Sequence, residues 1–228
     1  MKIQHIQYLD TVTSTNSYLK ALDTKHKSNG LLVYTFHQTK GRGRRANIWN
    51  SQKDQDIALS IYHQTVNEPF IDLMRAAIGV VDTLRNLNIE ATIKLPNDIY
   101  VDKQKMAGIL IEKTMHVSTS SSIIGIGINV NSTRKSNDKA ISIKDVLDIP
   151  VDKTKLINQF VYFYNNLEGQ SLHDRFITYI NFKNHVCHYE HTQYELIDIT
   201  HDFVCVLKNN NTQINIPCQN INFKIKNR

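Results

Sequence analysis

The sequence predicts an α+β fold, in which a mixed β-sheet is flanked by helices and followed by a small β-rich domain. Short segments with alternating apolar residues recur through the first 130 residues, as is typical of strands. Two later segments repeat apolar residues at helical spacing, and beyond about His185 only short β-type segments remain. We therefore predict two domains, residues 1–183 and residues 184–228.

The first elements of the larger domain can be identified in order along the chain. "STNSYLKAL" is predicted to begin a helix, because Ser14 or Thr15 can cap its first turn. "LLVYTFHQ" is typical of a buried strand, and it leads directly into the basic segment "TKGRGRRANIW" of residues 39–49. "IALSIYH" follows as an alternating strand with Ile57, Leu59 and Ile61 on one face.

The following segments complete this domain. A helix after Pro69 is indicated by spacings of four and three between its apolar residues, which are Phe70, Met74, Ala77, Val81 and Leu84. "DIYVDKQKMAGILIEK" is typical of a hairpin that turns at 102–104, and "SIIGIGINVN" of another strand. A second helix is predicted from Leu156, Phe160, Phe163 and Leu167, and "LHDRFITYI" is expected to add a third.

Composition limits the classes of protein to consider. The 228 residues carry a formal net charge of +6, which favours an anionic ligand or partner but does not indicate a fold. Three cysteines without C-x-x-C spacing make a zinc cage or a disulfide framework unlikely, so we expect a reducing cytoplasm. We predict neither a signal peptide nor a membrane span, because no apolar run is long enough.

The segment "IIGIGINV" places two glycines and an amide on one face of a strand. A period of two puts Gly125, Gly127 and Asn129 together, opposite the isoleucines. Such a bare face can serve as a floor for a flat ligand. It can equally serve close packing against another element, and the segment alone leaves both possibilities open.

Two other segments carry candidate polar groups. In "KLPNDIY", Lys94, Asn97 and Asp98 can project from a junction between a strand and a turn. An ordinary Pro-Asn-Asp turn without a functional role accounts for the same residues. Lys105 begins the next strand, and a lysine at the start of a strand is usually exposed to solvent. The "KGRGRR" segment is the one candidate for binding phosphate or carboxylate, because guanidinium groups grip such anions bidentately and glycines let the backbone close over them.

In order and spacing, five segments together resemble the signature segments of biotin protein ligases. They are "TSTNSYL", "HQTKGRGRRANIW", "IKLPNDIY", "KMAGILIE" and "GIGINVN". The resemblance implies a catalytic domain related to class II aminoacyl-tRNA synthetases and a small C-terminal β-barrel. It also implies an AMP-forming reaction in which biotin and MgATP give biotinyl-5'-adenylate. Biotin is then transferred to a lysine of a biotin carboxyl carrier protein or domain of a carboxylase.

The resemblance also implies roles for individual residues. The expected catalytic residues are Arg42, Arg44, Lys105 and Asp98. The expected biotin-binding residues are Ser14, Thr15, Asn16, Gln38, Gly41, Arg42, Arg44, Lys105, Gly108, Gly125 and Gly127. The expected nucleotide-binding residues are Arg44, Arg45, Trp49, Lys94, Asn97 and Asn129. No protein-bound metal is expected, since Mg²⁺ would be held by the phosphates of ATP. The basic segment would act as a lid over the water-labile adenylate.

Three features depart from the family pattern. Leu95 stands where a tryptophan is usual, Ala46 replaces a common glycine and Asn47 a common basic residue. The first motif begins at Thr13, which leaves no room for the DNA-binding helices of bifunctional members. We therefore expect a monofunctional cytoplasmic ligase, a monomer or weak homodimer, without DNA or membrane partners.

Other functions remain open from the sequence. A lipoate or octanoate ligase or transferase resembles this family in fold and in the K-x-A-G strand, but usually carries an R-R-x-x-G-G-G-like segment. A non-catalytic biotin-binding protein would keep the same motifs. A nucleic-acid-binding module is disfavoured, because the cations are confined to one loop and aromatic residues are not interleaved with them.

Overall fold

The larger part of the chain is a seven-stranded mixed sheet. The computed structural model describes residues 2–64, 69–115, 120–133, 139–167, 172–180, 185–210 and 212–225. The strands lie in the order β1-β2-β3-β7-β6-β5-β4, and only the β1–β2 pair is parallel. Their bounds are β1 His5–Tyr8, β2 Leu31–Thr35, β3 Ile57–Gln64, β4 Ala91–Lys94, β5 Asp98–Val101, β6 Gln104–Met115 and β7 Ser120–Ile128.

Helices cover the two faces of this sheet unequally. The helices are α1 Thr15–Ala21, α2 Pro69–Arg85, α3 Ile143–Leu147, α4 Lys153–Asn165 and α5 Leu172–Tyr179. The main core joins α2, α4 and α5 to one sheet face, which includes Leu32 and Ile124. On the other face, Leu19 of α1 packs with Val33 and Ile123. The alternation of each strand therefore divides its apolar residues between two cores.

The C-terminal part is a five-stranded antiparallel sheet. It comprises β8 His185–Tyr189, β9 Thr192–Ile199, β10 Val204–Lys208, β11 Gln213–Pro217 and β12 Asn222–Ile225, in the order β11-β10-β9-β8-β12. Phe203, in the turn before β10, stacks on Phe70 of α2 with ring centroids 5.6 Å apart. The two sheets thus share apolar contacts through α2.

Most of the predicted elements are confirmed. Ser14 caps α1 by accepting a hydrogen bond from the Ser17 amide, and the helix after Pro69 runs to Arg85. The predicted hairpin turn falls between β5 and β6, and the fold class agrees with the sequence prediction. The predicted boundary at 183/184 lies outside the described residues, so the division into two domains remains a prediction.

The cysteine spacing argued against a disulfide framework and did not predict the one disulfide that the structure contains. Cys205 of β10 and Cys218 form a disulfide, and only Cys187 of β8 is a free thiol. Thirteen residues separate the two cysteines, and the fold of β10 back through β11 brings them together. Spacing in the sequence could not reveal this pairing, because it depends on strand register. No helix in the described ranges combines the length and apolarity that a membrane crossing requires.

Candidate active site

A row of small side chains crosses the central strands on the α1 face of the large sheet. Strand register aligns Ala58 of β3 with Gly127 of β7, and Gly127 with Gly108 of β6. Asp98 of β5 is the next residue of the row. Because glycine and alanine leave the pleated surface low, they create a trough across the sheet, closed at one end by a carboxylate.

The trough holds side chains of the protein itself. The indole of Trp49 lies on Gly127 and Gly108, and a β-carbon at Gly127 would overlap it. The carboxamide of Asn16 lies in the same way on Gly125. The glycine face therefore serves close packing, as one of the two interpretations expected, and the ring packed there is Trp49. Its use as a floor for a ligand stays a prediction. Trp49 Nε1 is buried and has no hydrogen-bond partner among the described residues, so an acceptor on a ligand would satisfy it.

One end of the site is a network of polar side chains at the start of α1. The Gln38 side chain accepts a hydrogen bond from the Thr15 amide at 2.9 Å. Ser60 of β3 donates to Asn16 at 2.5 Å and is 2.7 Å from the Thr15 hydroxyl. Asn16 in turn donates to Glu112 of β6 at 2.8 Å. These contacts fix the direction of each donor and acceptor, as selective recognition of a polar ring requires.

The other end is cationic. Lys105 Nζ lies 2.6 Å from Asp98 Oδ1 and 5.5 Å from the centre of the Trp49 ring. Arg44 donates to the Asn97 carboxamide oxygen at 3.0 Å. The remaining cation, Arg42, lies beside the polar end, because it pairs at 2.7 Å with the same Glu112 oxygen that accepts from Asn16. These contacts bring the predicted catalytic residues together from three separate segments of the chain.

A shift in strand register places Lys105 in the site. The β5–β6 pairing slips by one residue between Ile99 and Tyr100. Strict alternation would put Lys105 and Gly108 on opposite faces of β6. The slip instead brings the Lys105 ammonium beside Gly108, as β-bulges commonly re-aim side chains near active sites.

Arg44 carries a charge that its surroundings compensate only in part. Burial lowers the pKa of its guanidinium, the neighbouring Arg45 lowers it further, and Asp98 opposes both. The group remains protonated, because arginine stays ionised even after such a shift. A bound anion would therefore be favoured at this position, since it would supply the missing countercharge.

These groups surround two adjoining cavities. The cavity over the trough has a volume of about 150 Å³. A second cavity of about 410 Å³ shares Arg44, Asn97 and Ile109 with it, and reaches Phe203 in the C-terminal part. The first cavity is lined by most of the predicted site residues, namely Ser14, Thr15, Asn16, Gln38, Arg42, Arg44, Trp49, Asn97, Asp98, Lys105, Gly108, Gly125 and Gly127.

Four predicted site residues lie elsewhere. Gly41 is buried behind the cavity wall against the backbone of Trp49, and Arg45 is exposed on the outer side of the basic loop. Lys94 turns to Tyr100, 3.1 Å from its hydroxyl. Asn129 is buried and donates to the backbone oxygens of Lys105 and Ile141. Asn129 therefore holds β7 against the Lys105 segment rather than lining the cavity.

Sequence reasoning missed Ser60 and Glu112. A signal was present, because Ser60 alternates with Leu59 and Ile61 and so shares the face of Ala58. Glu112 lies an even number of residues after Gly108 and so shares its face. What the sequence lacked was the order of the strands, which alone shows that both faces border the same cavity.

The departures from the family pattern fall at different distances from the cavity. Leu95 is 1% exposed and belongs to the main core, so it does not line the site. Asn47 does line it, and its carbonyl accepts a hydrogen bond from Gly43 at 2.7 Å. Ala46 lies in the same short turn of the basic loop.

Comparisons with known proteins find both similar sequences and similar structures. Residues 8–129 match the biotin/lipoate A/B protein ligase family. The bifunctional ligase/repressor BirA of Bacillus spizizenii is 36% identical over 152 residues, or 63% of this chain and 45% of that protein. The biotin–[acetyl-CoA-carboxylase] ligase of Mycobacterium tuberculosis is 28% identical, over 67% of this chain and 61% of its own length. The chain thus spans less than two thirds of either relative.

A solved structure covers more of the chain. The biotin protein ligase of Aquifex aeolicus, determined in complex with biotin and ATP, superimposes with a TM-score of 0.80. The match covers 98% of this chain and 100% of the Aquifex chain, with 19% sequence identity. At this identity the similarity concerns the fold, which extends through the C-terminal sheet.

Proposed function

Since the chain belongs to the biotin/lipoate A/B protein ligase family, we propose that it is an ATP-dependent biotin protein ligase. It would convert biotin and ATP to biotinyl-5'-adenylate and pyrophosphate. It would then transfer biotin to a lysine of a biotin carboxyl carrier protein or domain. The observation that carries this proposal is a single cavity lined both by the cations Arg42, Arg44 and Lys105 and by the polar side chains Thr15, Asn16 and Gln38.

The cationic end suits the activation step. The biotin carboxylate must approach the α-phosphate of ATP, and negative charge increases on the phosphoryl oxygens as pyrophosphate leaves. Lys105, outside the basic loop, is held by Asp98, so little reorganisation of this cation is needed when that charge develops. Arg44 donates to Asn97 in the present position of the loop and would add its charge when the loop closes over the substrates. Arg42 is tied to Glu112 and would exchange this contact for the ligand.

The polar end favours biotin over octanoate. Thr15, Asn16 and Gln38 offer oriented donors and acceptors beneath the cavity, which a cyclic urea can satisfy. The end of an alkyl chain would leave such groups unpaired, and a site built to pair polar groups discriminates strongly against a ligand that lacks them.

ATP and Mg²⁺ complete the proposed substrate set. The Trp49 ring and Asn97 are proposed to contact the nucleotide. The carboxylate that lines the cavity, Asp98, is paired with Lys105, and Glu112 is paired with the lining residue Arg42. Mg²⁺ is therefore proposed to enter with the phosphates of ATP rather than on a cage of protein carboxylates.

The cavity must enlarge to hold these substrates. Its volume of about 150 Å³ is below the roughly 300–1,000 Å³ of typical small-molecule sites. Because Trp49 and the arginines all come from residues 39–49, movement of this one loop would open it. Closure over the adenylate would then exclude water from the reactive acyl group.

In the transfer step, the acceptor lysine attacks the acyl carbon as a neutral amine and AMP leaves. Asp98 is proposed to assist by accepting a proton or orienting the incoming amine, because it lies at the edge of the trough. The remaining parts of the proposal are a cytoplasmic location, a monomer or weak homodimer, and no DNA or membrane partner.

Mass spectrometry of the products tests the proposal. The protein is incubated with MgATP and either biotin or octanoate, and the acyl-adenylates are measured. We expect biotinyl-adenylate and none from octanoate. An octanoyl-adenylate in place of the biotinyl compound would assign the chain to the lipoate branch of the family. No adenylate from either acid would support a protein that only binds biotin.

A further inference from the structure

The geometry points to a binding site for a divalent transition-metal ion, outside the candidate active site. Its ligands would be His173 and Asp174 at the start of α5 and His201 in the turn between β9 and β10. One ligand atom from each residue lies within 4.8 Å of the other two. The inference does not depend on the proposed ligase activity.

The distances are near those of a formed site. His173 Nδ1 is 3.5 Å from Asp174 Oδ1, and the centres of the two imidazole rings are 4.0 Å apart. Zinc binds histidine nitrogen and carboxylate oxygen at about 2.0–2.2 Å, so two ligands at a tetrahedral angle are about 3.4 Å apart. The His201 ligand atom lies within 4.8 Å of the other two, so the exposed ring would have to move closer as the ion binds.

The environment of His173 is that of a metal ligand. Its Nε2 lies 2.6 Å from the backbone oxygen of Ile199 and must donate to it. In the tautomer with its proton on Nε2, the lone pair of Nδ1 faces Asp174. Metal-bound histidines typically donate their second nitrogen to a carbonyl or carboxylate, which fixes the tautomer and the ring orientation.

The Nδ1 atom of His173 makes no hydrogen bond among the described residues. It is shielded from solvent, and the His173 side chain is 14% exposed. A buried acceptor without a partner is unusual in native proteins. A metal ion would satisfy it, and the exposure of Asp174 and His201 gives the ion a path from solvent.

The chemistry of the ligands indicates which ions fit. Two imidazoles and one carboxylate suit Zn²⁺, Ni²⁺, Co²⁺ or Cu²⁺, whereas Ca²⁺ and Mg²⁺ prefer sites composed of oxygen. A bound ion would join α5 to the β9–β10 turn. Asp202 and Phe203 of that turn line the second cavity, so the ion would also hold this wall in place.

Cobalt titration of the full-length untagged protein tests the site. We expect one Co²⁺ per chain with the strong visible absorption of a four- or five-coordinate ion, and competition by Zn²⁺. His201→Gln should weaken binding by at least about tenfold. His5→Gln is the control, because His5 is exposed on β1 and should leave binding unchanged.

Thermal unfolding gives a second readout. Zn²⁺ should raise the Tm of the wild type and of His5→Gln but not that of His201→Gln. Asp174→Asn replaces His201→Gln if circular dichroism shows the latter to be misfolded. Equal affinities in wild type and His201→Gln, or only the weak absorption of six-coordinate Co²⁺, would overturn the inference.

Discussion

At the scale of single residues, two lysines with similar sequence settings have different surroundings. Both Lys94 and Lys105 lie beside motif residues, and both were expected in the site. Lys105 reaches the cavity through the register shift between β5 and β6, whereas Lys94 packs on the ring of Tyr100. The role of each lysine is therefore decided by strand pairing.

Replacing Lys105 tests this assignment. We expect Lys105→Ala to lower the rate of biotinyl-adenylate formation by about 100- to 1,000-fold, since it removes a preorganised charge from the transition state. Lys94→Ala is the matched control and should retain most of the wild-type rate. Single-turnover measurements with biotin and MgATP would check both. Equal losses in the two variants would contradict the placement of Lys94.

The glycines of the trough allow a second prediction at the scale of single residues. A methyl group at Gly127 would overlap the Trp49 indole, so Gly127→Ala should displace the ring and abolish adenylate formation. Overpacking of this kind costs about 1–3 kcal/mol of folding stability. Gly43→Ala is the control, because a β-carbon there would make only ordinary contacts. Chemical denaturation and Trp49 emission would measure the two effects, and a wild-type emission spectrum in Gly127→Ala would argue against the packing described.

At the scale of elements, the basic segment is an organised loop. Arg42 and Ile48 form an isolated bridge, and Gly43 donates to the Asn47 carbonyl at 2.7 Å. Trp49 then anchors the end of the loop in the trough. The same segment thus supplies two of the cations and the aromatic floor, so its position controls the whole cavity.

Trp49 reports on this loop directly, because it is the single tryptophan in the sequence. We expect biotin and MgATP to shift its emission to shorter wavelength, saturably, as a ligand covers the ring. Fluorescence titration with selective tryptophan excitation would measure the shift, with acetate in place of biotin as the control. Formation of adenylate without any spectral change would show that the loop does not respond to the ligand.

The cysteines of the C-terminal sheet give another element-scale prediction. Burial raises the pKa of the Cys187 thiol to about 12, so it should remain protonated and unreactive at neutral pH. The native protein should therefore not react with a thiol reagent, and the unfolded, unreduced protein should show one thiol per chain. Reduction before unfolding should raise the count to three. Three thiols without reduction would show that Cys205 and Cys218 are not joined.

At the scale of the whole molecule, α2 connects α4 and α5 to the large sheet. Tyr164 of α4 is fully buried in the main core and packs against Phe160. Burial raises the pKa of its hydroxyl above the usual 10.0. Tyr179 of α5 is shifted in the same direction by burial and by its hydrogen bond to Asp82. Both rings are therefore held neutral in the folded state.

The sign of the resulting pH dependence follows from linkage. A raised pKa in the folded state stabilises the protein fully below the unfolded value near 10, and this contribution is lost as pH rises above it. We expect the free energy of unfolding to fall by about 1.4 kcal/mol per pH unit above that value because of the fully buried Tyr164. Urea denaturation at pH 8 and pH 11 would test this. Tyr164→Phe should show the smaller loss, whereas Tyr162→Phe, at an exposed position, should behave as wild type.

The sequence by itself determined the family, the fold class and most of the residues around the cavity. It did so because apolar periodicity specifies helices and strands, and because the glycines, Trp49 and the basic residues stand in an ordered set of motifs. The residues Arg42, Arg44, Lys105 and Asp98 were found in this way, and all four line the cavity.

The tertiary structure alone decided how these residues meet. Strand order brought Ser60 and Glu112 into the polar network, and the register shift turned Lys105 toward the trough. The return of β10 through β11 paired Cys205 with Cys218. Asn129 instead binds backbone oxygens of its neighbours, and Lys94 contacts Tyr100. Each of these outcomes depends on which strands are neighbours and in which register, a long-range property that local periodicity does not encode.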